Sequence, residues 1–482
     1  MKKMYFKKLS LTSILAIAFI LLFTNCEREI SDAAVEATYP KIADIYTDNP
    51  IGLTDVFFHS DDPANGANVN GFDVDNEVAY VGRSSVRIDV PAPNDPDGGY
   101  VGGVFIDRGN GRNLTNFDAL TFYVKASRTV TSGVTFGFGS DYLANNEQDV
   151  NKFRVTTNDM TLSTNWKKVI IPIPDPSKLT QLKGLFILSA GTQGTAGVGY
   201  TFWLDEIRFE KLGTIAQNQV AIKNGNNVTE TTFVGVNSGI DGVIASFNMP
   251  NGLNQSVTIS PAYLNFSSSN PDVATVNASG VVTSLSAGTS AITATFNGAL
   301  ATGSLIINCV GNFVAAPTPT RNPANVISIF SNQYNNVPVN YYNGYWAPWQ
   351  TTVSNDFSVL GNDILNYTIF NFVGIEFSNP TVNAGAMTHI HLDAFIPGPI
   401  IPGRQLRVLV VDFGANGVFG GGDDTRHSTT FTAPFVVSQN WMSIDIPFSA
   451  MPNLQSRTNL AQIILEGGDG SVIYVDNIYF YN

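Results

Sequence analysis

The sequence predicts an all-β chain, with two jelly-roll β-sandwiches flanking a third sandwich of different texture. Three observations predict it. First, the pattern Asn-Trp, four residues, Ile-Pro, then a closing strand built around one aspartate occurs twice, about 270 residues apart. The first copy is Asn165-Trp166 and Ile171-Pro172, closing on Trp203 to Phe209 around Asp205; the second is Asn440-Trp441 and Ile446-Pro447, closing on Tyr474 to Phe480 around Asp476. Tryptophan to aspartate spans 39 residues in one copy and 35 in the other, so the back half of a domain is duplicated. Second, 482 residues exceed what one core holds. Third, charged residues are only 13 %, about half the usual share, while 43 glycines and many asparagines break the chain into short runs.

Residues 1–25 hold Lys2, Lys3, Lys7 and Lys8 and no acid, so their removal takes the net charge from −13 to −17. A chain this acidic repels phosphate backbones, and nucleic acid is not expected as a partner. The apolar run Leu9 to Phe23 is shorter than the roughly 20 residues that span a bilayer, which favours a signal segment over a membrane helix. Cys26 stands at its end. That placement resembles the lipobox of bacterial lipoproteins and implies lipidation of Cys26; an ordinary cleaved signal with an incidental cysteine is the alternative. Glu27, Glu29 and Asp32 just behind resemble the export signal of Bacteroidetes lipoproteins, which implies an outer-membrane anchor facing outward. The other cysteine, Cys309, has no partner, so a disulfide framework and a cysteine zinc site are excluded.

After a polar tether (26–39), residues 40–212 show β-rich runs at Ser85–Val90, Ala119–Lys125, Val134–Phe138, Lys168–Ile173, Leu185–Leu188 and Thr201–Phe209, with no sustained helical period. Gly99 to Phe105, Asn116 to Phe122 and Trp203 to Ile207 resemble the galactose-binding-like modules of surface glycan-binding lipoproteins. Tyr100 and Tyr142, the latter beside Asn145 and Asn146, are its candidate glycan contacts. A purely structural role for this module is the alternative.

From 213 to 309 the texture turns to Val, Thr, Ser and Ala. Ser268 to Val276, Gly280-Val281-Val282, Gly288 and Ala291 to Ala294 resemble the bacterial Ig-like group 2 domain, which implies an Ig-like β-sandwich acting as a rigid spacer. Alternation at Val273, Thr275 and at Ile292, Ala294 agrees with strands. Residues 310–325, with Pro317 and Pro319, have the composition of an extended linker.

The last module, 326–482, carries Tyr341, Tyr342, Tyr345, Trp346 and Trp349 within nine residues, broken by Gly, Asn and Pro. So many rings cannot all be core. Flat rings stack on the C–H faces of sugars, so Tyr342, Tyr345, Trp346 and Trp349 are candidate glycan contacts, joined by Glu376, His391, Asp393 and His427. His389 and His391 share a strand face, but no third ligand stands nearby for zinc. Here the opening strand, the Trp-bearing loop, Met387 to Asp393, Val411 to Gly414, Asn459 to Leu465 and Val475 to Phe480 resemble a carbohydrate-binding β-sandwich common in marine Bacteroidetes. There it is appended to glycoside hydrolases such as laminarinases. The resemblance implies β-1,3-glucan (laminarin) as ligand, with neighbouring hydrolases and a transporter as partners. It also implies a structural calcium at Asp205 or Asp476; the alternative is an aspartate bonded to backbone. No closely spaced Glu-x-Asp-x-x-Glu, Gly-x-Ser-x-Gly, His-Glu-x-x-His or phosphate loop is present. A non-catalytic polysaccharide binder is therefore expected, against an adhesive surface protein or a hydrolase with an unrecognised site.

Overall fold

In the computed structural model the described residues are 39–53, 58–142, 144, 150–157, 159–354 and 358–482. Cys26, the leader, Asn145 and Asn146 lie outside them. The described chain is built from β-strands and short 3-10 turns, as the alternating pattern predicts. Among the described residues no helix is long and apolar enough to cross a membrane.

The first sandwich faces a six-stranded sheet, centred on the long strand Tyr200–Glu210, against a second sheet through Val101–Ile106, Gly184–Ala190 and Val134–Phe138. Alternate residues point inward, so Val86, Ile88, Phe122, Phe136, Phe186, Phe202 and Leu204 meet in one core. The last sandwich repeats this plan. One sheet carries Leu365–Thr368, Ile473–Tyr481, His389–Phe395 and Trp441–Pro447; the other runs Phe372–Glu376, Leu460–Glu466, Leu406–Asp412, Thr425–Phe431. Its core is Ile375, Ile390, Leu392, Val408, Val410, Ile463 and Phe480.

Between the two lies the Ig-like unit, and it is joined to the first sandwich by more than a tether. Its strands Ala216–Ala221, Ile244–Asn248 and Asn254–Ile259 continue the first sandwich's second sheet, making eight strands in a row. The seam is Thr258 opposite Thr156 and Ile259 opposite Val155. The Tyr263 hydroxyl donates to the Phe153 carbonyl (2.9 Å), and one apolar core runs through both units. Toward the last sandwich, Phe233 packs on Phe313, Tyr474 and Phe395, with Val359 and Ile364 alongside.

The Pro/Thr linker lies on the last sandwich. The Trp441 indole N–H donates to the Val314 carbonyl (2.7 Å) and the Asn477 amide to the Pro317 carbonyl (3.0 Å). The Arg321 guanidinium sits 3.4 Å over the Tyr481 ring.

Candidate functional site

The aromatic loop 341–350 folds over one edge of the last sandwich. Asn343 organises it: its carbonyl oxygen accepts from the Tyr345 N–H (3.0 Å) and from the Gln350 amide, and its own amide donates to Ser354 (2.8 Å). This hub sends three rings in three directions. Trp346 lies half-buried on the outer face of the four-stranded sheet, against Gly374, Phe372, Val411 and Ile464. A Cβ at Gly374 would run into the indole, so glycine is needed there for close approach. Trp349 projects into solvent, 74 % exposed, and Tyr345 is 57 % exposed on the side of the Ig-like unit. Tyr342, expected in the site, packs instead on Phe330 and donates to the Ile329 carbonyl (3.1 Å). Its ring serves the core.

Beside Trp346 runs a bonded polar row. The indole N–H donates to the Tyr341 hydroxyl (3.3 Å), which donates to Glu376 (2.7 Å). Gln462 (2.8 Å) and Ser378 (2.6 Å) donate to the same carboxylate. Burial pushes the Glu376 carboxyl up, but the bonds from Ser378, Tyr341 and Gln462 together hold it below its ordinary value. Burial and Glu376 push the Tyr341 hydroxyl up to about 12. A charged acceptor next to an apolar ring face is what a sugar requires, since its hydroxyls lie at the edges and its C–H groups on the flats.

His391 and Asp393 are on the opposite sheet, beneath the linker. With Ser443, Asp445 and Tyr479 they line a cavity of about 530 Å3 capped by residues 317–321. Burial pushes the His391 imidazole down, but Asp393 and Asp445, at 3.5 and 3.0 Å, outweigh it and raise its pKa. His427 is in neither place. It pairs with Val410 on the edge strand and shares that residue's inward side. Thus the residues expected as one site are spread over two faces and an edge.

In the first sandwich Tyr100 and Tyr142 do come together, through Asp61. Tyr142 donates to Asp61 (3.1 Å) and its ring meets His59 edge-on. Burial, then Asp61, pushes Tyr142 up to about 12 and raises Tyr100 as well. Gly102 lets this group close, since a Cβ there would collide with Asp61. Asp61 and His59 were not expected; Asp61-Asp62-Pro63 reads as a turn, and only the fold sets it beside a strand 40 residues on.

Asp205 is fully buried and accepts three backbone N–H groups, from Tyr80 (2.7 Å), Val81 (3.2 Å) and Glu206 (2.7 Å). Calcium needs about 6–8 oxygen ligands, and the three groups that reach this carboxylate are N–H donors, so these residues do not fit the ion. Asp205 is a backbone anchor. Asp476 is half-buried, accepts among the described residues only from Asn477 (2.6 Å) and lies opposite Asp393. Burial, Asp393 and Asp363 push it up to about 6. Among the described residues no group of three His, Cys, Asp or Glu is arranged to hold a metal.

Comparison with known proteins assigns two of the three units. Residues 44–211 match the family model of carbohydrate binding domain 30, and residues 252–302 match the bacterial Ig-like domain (group 2). No curated protein matches the chain. Among solved structures, a family 30 carbohydrate binding module is 19 % identical, covering 35 % of this chain and 86 % of its own, with TM-score 0.26. The family 11 module from Clostridium thermocellum, in complex with a β-1,3-1,4-mixed-linked tetrasaccharide, is 21 % identical (33 % and 96 % covered, TM-score 0.23). A β-1,2-glucanase from Parabacteroides distasonis is 12 % identical, covering 57 % of this chain and 40 % of its own, with TM-score 0.27. By the two family matches and the sheet topology, this chain is built from a sandwich that matches a carbohydrate-binding family, an Ig-like unit and a second sandwich of like architecture.

Proposed function

We propose that the protein binds polysaccharide without cleaving it, with β-glucan (laminarin, a β-1,3-glucan) as the first ligand to try. The match of residues 44–211 to a carbohydrate-binding family carries this reading. Two surfaces support it: the Tyr100–Asp61–Tyr142 group on the first sandwich, and the Trp346–Tyr341–Glu376–Gln462 row with Trp349 on the last. Lipid on Cys26 would anchor the chain in the outer membrane, facing outward, where bound glycan reaches neighbouring hydrolases and a transporter. Calcium at Asp476 belongs to the same proposal.

Affinity electrophoresis against laminarin, mixed-linkage β-1,3-1,4-glucan and xyloglucan tests it. At least one glucan should retard the protein. Trp349→Ala and Glu376→Gln should each weaken retention by about tenfold, equivalent to ~1.4 kcal/mol, with melting temperature within a few degrees. Retention of none of the three would sink the reading, and release of reducing sugar would make the chain an enzyme.

A further inference from the structure

The Ig-like unit and the last sandwich enclose a cleft of about 1250 Å3. Pockets for drug-sized ligands are about 300–1,000 Å3, so this one has room for several sugar units. One wall is the strand Asn227–Thr232, the end strand of the five-stranded sheet; the other includes Ser354 of the end strand Val353–Ser354, with Asn366 and Thr368 of the strand paired to it. Among the described residues each of these two end strands therefore has one backbone edge with no strand partner, presenting N–H and C=O groups. Hydroxyls and amides such as Thr229, Thr231, Ser238 and Asn366 share these walls with apolar side chains such as Leu360 and Ile369. Glu230 is the one charged residue among the described lining, and Lys223 pairs with it at 3.3 Å.

Three features make this more than a gap between domains. The Asn366 side-chain oxygen, on the cleft wall, is buried and has no hydrogen-bond partner among the described residues. Buried polar atoms are seldom left so, and an incoming hydroxyl would satisfy it. Tyr345 offers an exposed ring on a backbone held at φ 47° with its N–H bonded to Asn343, so the point from which the ring projects is set before any ligand arrives. The Phe233–Tyr474–Phe395 contact ties the two walls together, which lowers the ordering cost of binding.

We propose that this cleft is a further polysaccharide site, taking a neutral glycan chain between the two strand edges with Tyr345 stacked on one sugar. It rests on the polysaccharide-binding reading and gives the Ig-like unit a share in binding. A peptide strand would also pair with the edges; the exposed Tyr345 ring beside hydroxyl and amide groups favours a sugar, whose C–H face stacks while its hydroxyls bond.

Thr231→Arg and Ser238→Arg, each on the Ig-like wall, fill the cleft from a unit that neither outer face uses. On whichever of laminarin, mixed-linkage glucan and xyloglucan the unaltered protein binds, both should lose at least about fivefold in affinity, as expected when one of several linked contacts is removed. Hydrogen exchange on the unaltered protein gives a second reading that needs no variant: that glucan should protect the amides of Asn227–Thr232. Unchanged affinity in both variants, or no protection of that strand, overturns the proposal and leaves the two edges to a peptide. If Trp349→Ala and Glu376→Gln lose binding while the two arginine variants do not, the proposed function stands and the cleft falls. An unaltered protein that binds none of the three glucans removes both.

Discussion

The two jelly rolls place the same aspartate at the same bend and use it differently. In each closing strand the residue after the aspartate has positive φ, Glu206 at 51° and Asn477 at 53°, and donates its N–H to that aspartate. Register slips at this point, against Ala119–Ala126 in one module and His389–Phe395 in the other. This is a duplicated β-bulge, which aims a side chain off the regular pleat. What stands opposite differs. Tyr123 faces Asp205 and stacks on Tyr80 at 3.6 Å, whose loop then bonds the carboxylate. Asp393 faces Asp476, and the loop's place is taken by the linker, held through Asn477. One substitution across the ladder, tyrosine for aspartate, separates a satisfied anchor from a repelled pair.

The largest expected effect is at the anchor. Asp205→Ala takes the acceptor away from the part-buried N–H groups of Tyr80 and Val81 and from Glu206, and should cost about 2 kcal/mol of stability, read by chemical denaturation. An unchanged midpoint would mean that the loop holds itself and the two modules do not differ here. Next comes Asp476→Asn, with the opposite sign. Its carboxyl titrates near 6 when folded and near ~4 when unfolded. The folded state therefore binds more protons in that window, and stability falls as pH rises from ~4 to ~6 and stays lower above. In calcium-free buffer, removing the charge should add about 1 kcal/mol at pH 7, after allowance for partial exposure, and flatten the melting profile between pH 4 and 6. If added calcium instead raises the melting temperature of the unaltered protein and Asp476→Asn abolishes that gain, the repelled pair is an ion site. The smallest effect is Arg321→Ala, which removes the guanidinium from Tyr481. It should cost about 0.5–1 kcal/mol, seen as a lower melting temperature of the last sandwich. No change would show that the linker is held by Trp441 and Asn477 alone.

The strands were legible because burial on one face forces alternation, as in Ser85–Val90, found with those same bounds. The duplicated tryptophan-to-aspartate spacing likewise reports a shared architecture. The site was legible only as a set of residue types. Tyr345, Trp346 and Trp349 are neighbours in sequence, yet the Asn343 hub turns them apart, and no period or spacing encodes that. His391 and His427 looked alike as candidates because a lone histidine carries no record of its sheet. Asp61 was hidden for the opposite reason: its partners Tyr100 and Tyr142 are brought in by strand pairing far along the chain. The resemblance drawn from sequence was strongest for the last module, whereas the family match falls on the first.

The eight-stranded sheet has a practical meaning for anyone dividing this chain. A cut near residue 212 looks natural from composition and from where the family match ends, but it strips Asn254–Ile259 from its neighbour. Val155–Thr157 would become a raw border, with Val155 and the Phe153–Tyr263 contact uncovered. Such borders recruit other copies edge to edge. A fragment ending there should self-associate, and its apparent avidity for long glycans would then measure the scissors rather than the sugar.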